Sequence, residues 1–139
     1  MYVDTSVLVS FYTGEELGHA AEAVLLSDAS PTVSGLSEVE LFAALARKVR
    51  GEELDARQAQ RVRTQFTKHL DNGNFARIAL EPAHYRMARD WLAHAELPLG
   101  SKDAIHLAAA ALASMTLLTA DTQQARGGEE LGVEVMLLR

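Results

Sequence analysis

Apolar residues alternate along the chain between short continuous runs and stripes at helical spacing. "MYVDTSVLVSFY" reads as a short strand running into a helix, and "EELGHAAEAVLLSDA" repeats its apolar positions at the spacing of one buried helix face. Pro31 opens "PTVSG", a short strand closed by Ser34 and Gly35. "LSEVELFAALARKVRG" is a helix stopped at Gly51, and "DARQAQRVRTQFTKHLDNG" is another with Asp55 at its start. "NFARIALE" is β-like. Pro82 then starts "PAHYRMARDWLAHAE" at the first helical position, where the missing N–H has no helical partner to lose. After "LPLG" come the alanine-rich helix "SKDAIHLAAAALAS", the strand "MTLLTA", the helix "DTQQARGGEELG" and a last strand, "VEVMLL". The pattern predicts about five strands and about seven helices in alternation, an α/β fold whose central, mostly parallel sheet is covered by helices on both faces. Residues 1–139 are expected to form one domain.

Composition changes this picture little: 48% apolar and 23% charged residues is the balance of a soluble globular protein. The longest apolar stretch, "AIHLAAAALASMTLLTA", contains His106 and small polar residues, and it falls short of the roughly 18 uninterrupted residues of a membrane span. No basic segment of a secretory signal precedes the first strand, and the expected location is the cytoplasm. The lack of cysteine excludes disulfides and thiolate metal sites. A net charge of −6 argues against holding nucleic acid by bulk positive charge, but not against meeting phosphates through bound cations.

Ligands of a parallel α/β sheet bind beyond the carboxyl ends of its strands. Asp4 and Asp121 follow two predicted strands, and Glu40 and Asp103 lie in the first turns of helices that start at the same end. Singly, each has an ordinary explanation: Asp4 and Asp121 as helix caps, Asp103 as an acid favoured by the helix dipole, Glu40 as a solvated side chain. Jointly they repel. At about 4 Å and an effective dielectric near 20, one such pair costs roughly 4 kcal/mol. No Lys or Arg sits at a neighbouring strand end, and Lys102, next to Asp103, is expected on another helix face. A hard divalent cation, Mg²⁺ or Mn²⁺, would remove the repulsion. Hydroxyls at Thr5, Ser6 and Thr119 are placed to support it. Glu38 competes with Glu40, because the helix is apolar nearly all round and periodicity does not choose between them.

Other chemistries lack their residues. "RGGEELG" neither follows a strand nor carries the lysine of a phosphate-binding loop, and neither HExxH nor GxSxG occurs. His106 reads as a packed core histidine, and Trp91, Tyr85 and Met87 as packing for the helix after Pro82. A phosphoryl-accepting receiver domain would need an aspartate where "FARIALEP" offers only Glu81. Arg47, Lys48, Arg50, Arg57, Arg61, Arg63 and Lys68 gather on the two middle helices. They form a solvated basic face, or a rail for a phosphate backbone or an acidic partner segment.

"VDTSVLV", "SGLSEVEL", "KDAIHLAAA" and "LLTADTQQA", in this order and spacing, resemble the motif blocks of PIN-domain nucleases, and in size and style the VapC-type toxin ribonucleases of toxin–antitoxin pairs. The resemblance spans essentially the whole chain. It implies that Asp4, Glu40, Asp103 and Asp121 bind metal and carry catalysis, and it selects Glu40 over Glu38 because Leu41 follows directly. Ser6 and Thr119 match its small polar positions; Gly100-Ser101 is a less bulky lead-in than many relatives have. The implied activity is Mg²⁺- or Mn²⁺-dependent hydrolysis of RNA by activated water, leaving a 5′-phosphate and a 3′-hydroxyl. The implied assembly is a homodimer silenced by an antitoxin segment over the acidic pocket. The alternative is a PIN-like binding module, with its metal site unused, that holds an antitoxin-like partner.

Overall fold

The computed structural model describes residues 1–94 and 96–139. In chain order the elements are β1 (Tyr2–Val3), α1 (Thr5–Thr13), α2 (Gly18–Ser27), β2 (Thr32–Ser34), α3 (Gly35–Arg50), α4 (Ala56–Asp71), β3 (Ala76–Ile78), α5 (Pro82–Leu92), α6 (Ser101–Leu112), β4 (Leu117–Thr119), α7 (Thr122–Glu130) and β5 (Val135–Leu137). The predicted alternation is the observed one. The sheet is parallel at every pairing, with order β3-β2-β1-β4-β5. The helix after Pro82 stops at Leu92, short of the expected Glu96; Ala95 lies outside the described residues.

Short strands suffice because their alternate residues are buried on both faces. Tyr2 and Leu117 point into one core with Leu107, Ala109, Ala110 and Val133, while Val3 and Leu118 point into the other with Val7, Leu41, Leu45 and Phe66. A strand covered on both sides reads as a continuous apolar run, which is how these appear in the sequence. Helices α1 to α4 cover one face, and α5 to α7 the other. Trp91 and Met87 pack against α6 as expected, but Tyr85 is half exposed and contributes little packing. Among the described residues, no helix is long and apolar enough to cross a membrane.

β1 lies centrally. From it the chain moves outward through β2 and β3, then returns to the opposite side for β4 and β5. The strand order reverses between β1 and β4, and a crevice opens at such a switch point beyond the carboxyl ends. Asp4 follows β1 there and Asp121 follows β4. Local chemistry starts the helices at this edge. The side chains of Asp4 and Asp121 accept backbone N–H groups of α1 and α7, which have no partner within the helix; Asp55 caps α4, which follows α3, in the same way.

Two glycines inside α7 contradict helix propensity by about 1 kcal/mol each. Packing explains them. A Cβ on Gly128 would lie 2.6 Å from Val135 Cγ2 and 2.7 Å from Leu107 Cδ2, and one on Gly127 would lie 2.5 Å from Leu99 Cδ2. Helix α7 therefore sits closer to the sheet and to α6 than any side chain there would permit. Gly35, at the start of α3, has open space where a Cβ would stand. Gly128→Ala is expected to destabilise the fold by about 1–2 kcal/mol despite its better propensity. Gly35→Ala is expected to be neutral or to stabilise by up to about 1 kcal/mol. Urea denaturation followed by circular dichroism measures both.

Candidate active site

Asp4, Glu40, Asp103 and Asp121 line one cavity of about 550 Å³ at the carboxyl edge of the sheet, together with Thr5, Ser6, Ser10, Arg47, Lys48 and Lys102. All four predicted acids therefore meet in one place. Glu38 turns away and pairs with Arg77 on β3 at 3.0 Å, so helix rotation separates the two glutamates that periodicity could not.

Each acid is anchored through an oxygen by a protein donor. Asp4 is buried: its Oδ2 accepts from the Ser6 backbone N–H at 2.9 Å and from the Ser6 hydroxyl at 2.5 Å, and its Oδ1 accepts from Gln124 Nε2 at 3.2 Å. Asp121 Oδ1 accepts from the Gln123 and Gln124 backbone N–H groups at 2.7 and 3.0 Å. Asp103 Oδ2 accepts from Gly100 N–H at 3.3 Å. Glu40 Oε1 accepts from His106 Nε2 at 2.5 Å, with the Thr5 hydroxyl at 3.4 Å. The capping and crevice readings of Asp4 and Asp121 are thus both correct. An N-cap aspartate at a strand end uses one oxygen on its own helix and still presents its carboxylate to the cavity.

The hydroxyls tie the two strand ends together. Ser6 Oγ donates to Asp4 and accepts from Ala120 N–H at 2.9 Å; Thr119 Oγ1 donates to Gln124 Oε1 at 2.6 Å and accepts from Asp121 N–H at 3.0 Å. Thr119 and Gln124 are fully buried, where an unpaired polar atom would cost about 1–3 kcal/mol. Among the described residues, no buried side-chain nitrogen or oxygen lacks a partner.

Two expectations are corrected. Lys102 does not turn away: its ammonium lies 3.0 Å from Glu40 Oε2, because a long flexible stem on the first turn of α6 reaches across the cavity mouth. His106 is buried as expected, at 1% exposure, but it is no mere packing residue. Besides Glu40, its Nδ1 meets Tyr2 Oη at 2.8 Å, and Tyr2 Oη meets Ser34 Oγ at 2.8 Å. Gln124 is missing from the predicted candidates altogether. A signal exists for both: each lies three residues after a candidate acid, on the same helix face, and a polar side chain on a buried face needs partners. Of the basic cluster, Arg57, Arg61 and Lys68 are exposed on α4, while Lys48 bridges Glu15 at 2.6 Å and Glu53 at 2.8 Å.

Electrostatics record the crowding. Burial, together with the charges of Asp4 and Asp121, pushes the Asp103 carboxyl up. Burial works against the Glu40 carboxylate, but the hydrogen bonds of His106 and Lys102 and the charge of Lys102 outweigh it and hold that carboxyl below its usual range. Burial pushes the Tyr2 hydroxyl up to about 12, so it remains a donor at neutral pH. Carboxylates flanked by hydroxyls suit a hard divalent cation in donor type. In spacing, no three His, Asp or Glu side chains among the described residues stand close enough to grip one ion as placed. Glu40 leans on His106 and Lys102, and Asp4 on Ser6 and Gln124.

Comparison with known proteins agrees with this architecture. The family model described as PIN domain matches residues 1–130. No curated protein gives a significant match. Solved structures similar to the chain include a toxin–antitoxin complex from Klebsiella pneumoniae, at 20% identity, covering 99% of this chain and 97% of that one with a TM-score of 0.68. VapC20 of Mycobacterium tuberculosis, described as a sarcin-ricin loop cleaving toxin, is 18% identical over 91% and 94% of the two chains, with a TM-score of 0.73. VapBC2 of Rickettsia felis, bound to a DNA fragment from its promoter, is 13% identical over 99% and 98%, with a TM-score of 0.72.

Crowded acids cost stability, and the sign can be worked out for Asp103. A carboxyl whose folded pKa lies above its unfolded value binds its proton more tightly when folded. Its favourable contribution is complete below the unfolded value, near 3.9, and is lost as pH rises through the folded one. An asparagine in its place would keep the Gly100 hydrogen bond without the charge. Asp103→Asn is therefore expected to melt above the wild type at neutral pH and to converge with it as pH falls toward about 4. Thermal melts across pH, without added metal, check this.

Proposed function

The chain belongs to the PIN domain family, and from that membership and the cavity's chemistry we propose that it is a metal-dependent endoribonuclease, the toxin of a toxin–antitoxin pair. The observation that carries this reading is the convergence of Asp4, Glu40, Asp103 and Asp121 on one cavity at the switch point of the sheet. Names of similar structures, a toxin–antitoxin complex and a toxin that cleaves the sarcin-ricin loop among them, support the class of activity and of partner.

Asp4, Glu40, Asp103 and Asp121 would hold Mg²⁺ or Mn²⁺, drawn closer together by its charge, with Thr5, Ser6 and Thr119 steadying them. The chemistry such a cation supplies when bound is charge for a phosphate oxygen and a lower pKa for the attacking water. The remaining work falls to the chain itself. The tethers through Ser6, Gln124, Gly100 and the α7 backbone keep the Asp4, Asp103 and Asp121 carboxylates at the cavity, which limits how far they must move to meet a bound ion. Arg47 and Lys102 line the cavity and offer positive charge to the phosphates of a single strand, in a protein whose overall charge would repel RNA. Lys102 can exchange Glu40 for phosphate because it is well exposed.

The same cavity is the surface on which an antitoxin segment would silence the enzyme, most simply by presenting a basic side chain to the acids. A homodimer in the cytoplasm completes the proposal.

Asn keeps the cap hydrogen bonds of Asp4 and Asp121 while removing their charge. Asp4→Asn and Asp121→Asn are expected to leave the circular dichroism spectrum unchanged and to lower cleavage of a 5′-labelled RNA by at least about a hundredfold in Mn²⁺, the scale on which one electrostatic contact at a reacting centre is felt. Near-wild-type cleavage by either folded variant would refute the assignment. Calorimetry that finds no Mn²⁺ or Mg²⁺ binding at millimolar levels would favour the binding module instead.

A further inference from the structure

Glu40 differs from the other three acids in how it is held. Asp4, Asp103 and Asp121 each take a backbone N–H within three residues of themselves. Glu40 sits on α3 with three side-chain torsions to fix, and its anchors are side chains remote in sequence. Left alone, such a side chain samples many rotamers, and ordering it costs on the order of 1.5–2 kcal/mol.

The anchor runs deep. Ser34, at the end of β2, meets Tyr2 of β1; Tyr2 meets His106 Nδ1 on α6; His106 Nε2 meets Glu40 Oε1 on α3. Ser34, Tyr2 and His106 are all essentially inaccessible to solvent. Phe or Leu would fill the same space without polar groups to satisfy, so packing alone does not account for this chain of hydrogen bonds. Its direction follows from its end: a carboxylate only accepts, so Nε2 must carry the proton it shares with Glu40. In a neutral ring Nδ1 is then the acceptor, filled by the Tyr2 hydroxyl, whose own oxygen accepts from Ser34. The imidazole is thereby prevented from flipping or changing tautomer. Glu40 Oε1 is taken up by the protein interior, while Oε2 meets only the exposed Lys102, which a ligand can displace.

We propose that His106, locked by Tyr2 and Ser34, is a positioning residue that fixes the Glu40 carboxylate with Oε2 as its ligand-facing oxygen. This rests on the nuclease reading for its purpose, though not for its geometry. Groups that orient a metal-binding carboxylate commonly change metal affinity or activity by about 10- to 100-fold when removed.

The variants are His106→Phe, which keeps the volume and removes both nitrogens; His106→Gln, whose amide nitrogen reaches to about the place of Nε2; and Tyr2→Phe, which removes only the lock. With folding checked by circular dichroism, Mn²⁺ affinity is measured by calorimetry on the metal-free protein, and kcat and KM on RNA. The expectation is an affinity loss of about 10- to 100-fold for His106→Phe, substantial rescue in His106→Gln, and a smaller loss in Tyr2→Phe. KM for RNA should change less than kcat. Long-range proton–nitrogen NMR of the wild type should find His106 protonated at Nε2. A bare Nε2, or folded His106→Phe or Tyr2→Phe proteins that both match an active wild type in Mn²⁺ affinity and kcat, would overturn the proposal. Should His106→Phe fail to fold, His106→Gln and Tyr2→Phe decide by the same measures. A wild type that neither binds Mn²⁺ nor cuts RNA would instead sink the nuclease reading, and this positioning role with it.

Discussion

Everything at the carboxyl edge of this sheet answers to one constraint: four acids are brought into one crevice, and their repulsion must be borne by the fold. Parallel topology places three of them, because β1, β2 and β4 deliver the starts of α1, α3 and α7 at the same edge, and Asp103 joins them from the first turn of α6, which follows α5. The fold answers with tethers. At least one oxygen of each acid is bound by a donor of the chain, and the donors are chosen by position: a helix's own first N–H groups for Asp4 and Asp121, the Gly100 N–H for Asp103, and a buried imidazole for Glu40. Positive charge is used sparingly. Lys102 touches the cluster from its exposed rim, and Lys48 is occupied by Glu15 and Glu53. A more fully neutralised site would be steadier; here burial and the charges of Asp4 and Asp121 push the Asp103 carboxyl up.

Much of this is legible in the chain because the informative signals are local. Apolar runs bounded by Pro, Gly and Ser mark the strands, and acids directly after two of them mark the edge, since a strand end and a helix cap coincide in "VDTS" and "TADTQQ". The parallel sense of every strand pair follows from the helical crossovers between strands, two helices in the first three connections and one in the last, which return the chain to the same end.

What escapes the sequence concerns direction and reach. Lys102 and Asp103 are adjacent, so helix geometry turns their Cβ atoms about a quarter-turn apart. The rule speaks of Cβ, not of the ammonium four bonds further out, and the lysine crosses to Glu40. The apolar company of its helix predicts burial for His106, and the histidine is buried, but burial says nothing of what its two nitrogens meet. Those partners come from β1 and α3, 104 and 66 residues away, and no local window contains them. Gln124 escapes for the same reason: the carboxylate it serves is 120 residues distant. In each case a polar side chain on a buried helical face is the available clue.

The small residues of α6 and α7 extend the argument from packing to the site. Ala109 and Ala110 are buried in the core against the sheet and Ala104 and Ala108 against α5, while Gly128 meets Val135 of β5 and Leu107 of α6 where a Cβ would stand, so small residues set how near α6 and α7 approach their neighbours. That packing sets the reach of two side chains. His106 projects from α6 onto Tyr2 of β1 and Glu40 of α3, and Gln124 from α7 onto Asp4 and onto Thr119 of β4. Hydrogen bonds tolerate only a few tenths of an ångström before they weaken. A helix pushed outward by one methyl group would therefore loosen the Gln124–Asp4 and His106–Glu40 links before it exposed any apolar surface. The glycines and alanines, which touch no acid, thus belong to the same device as the tethers: they set the distance at which the tethers work.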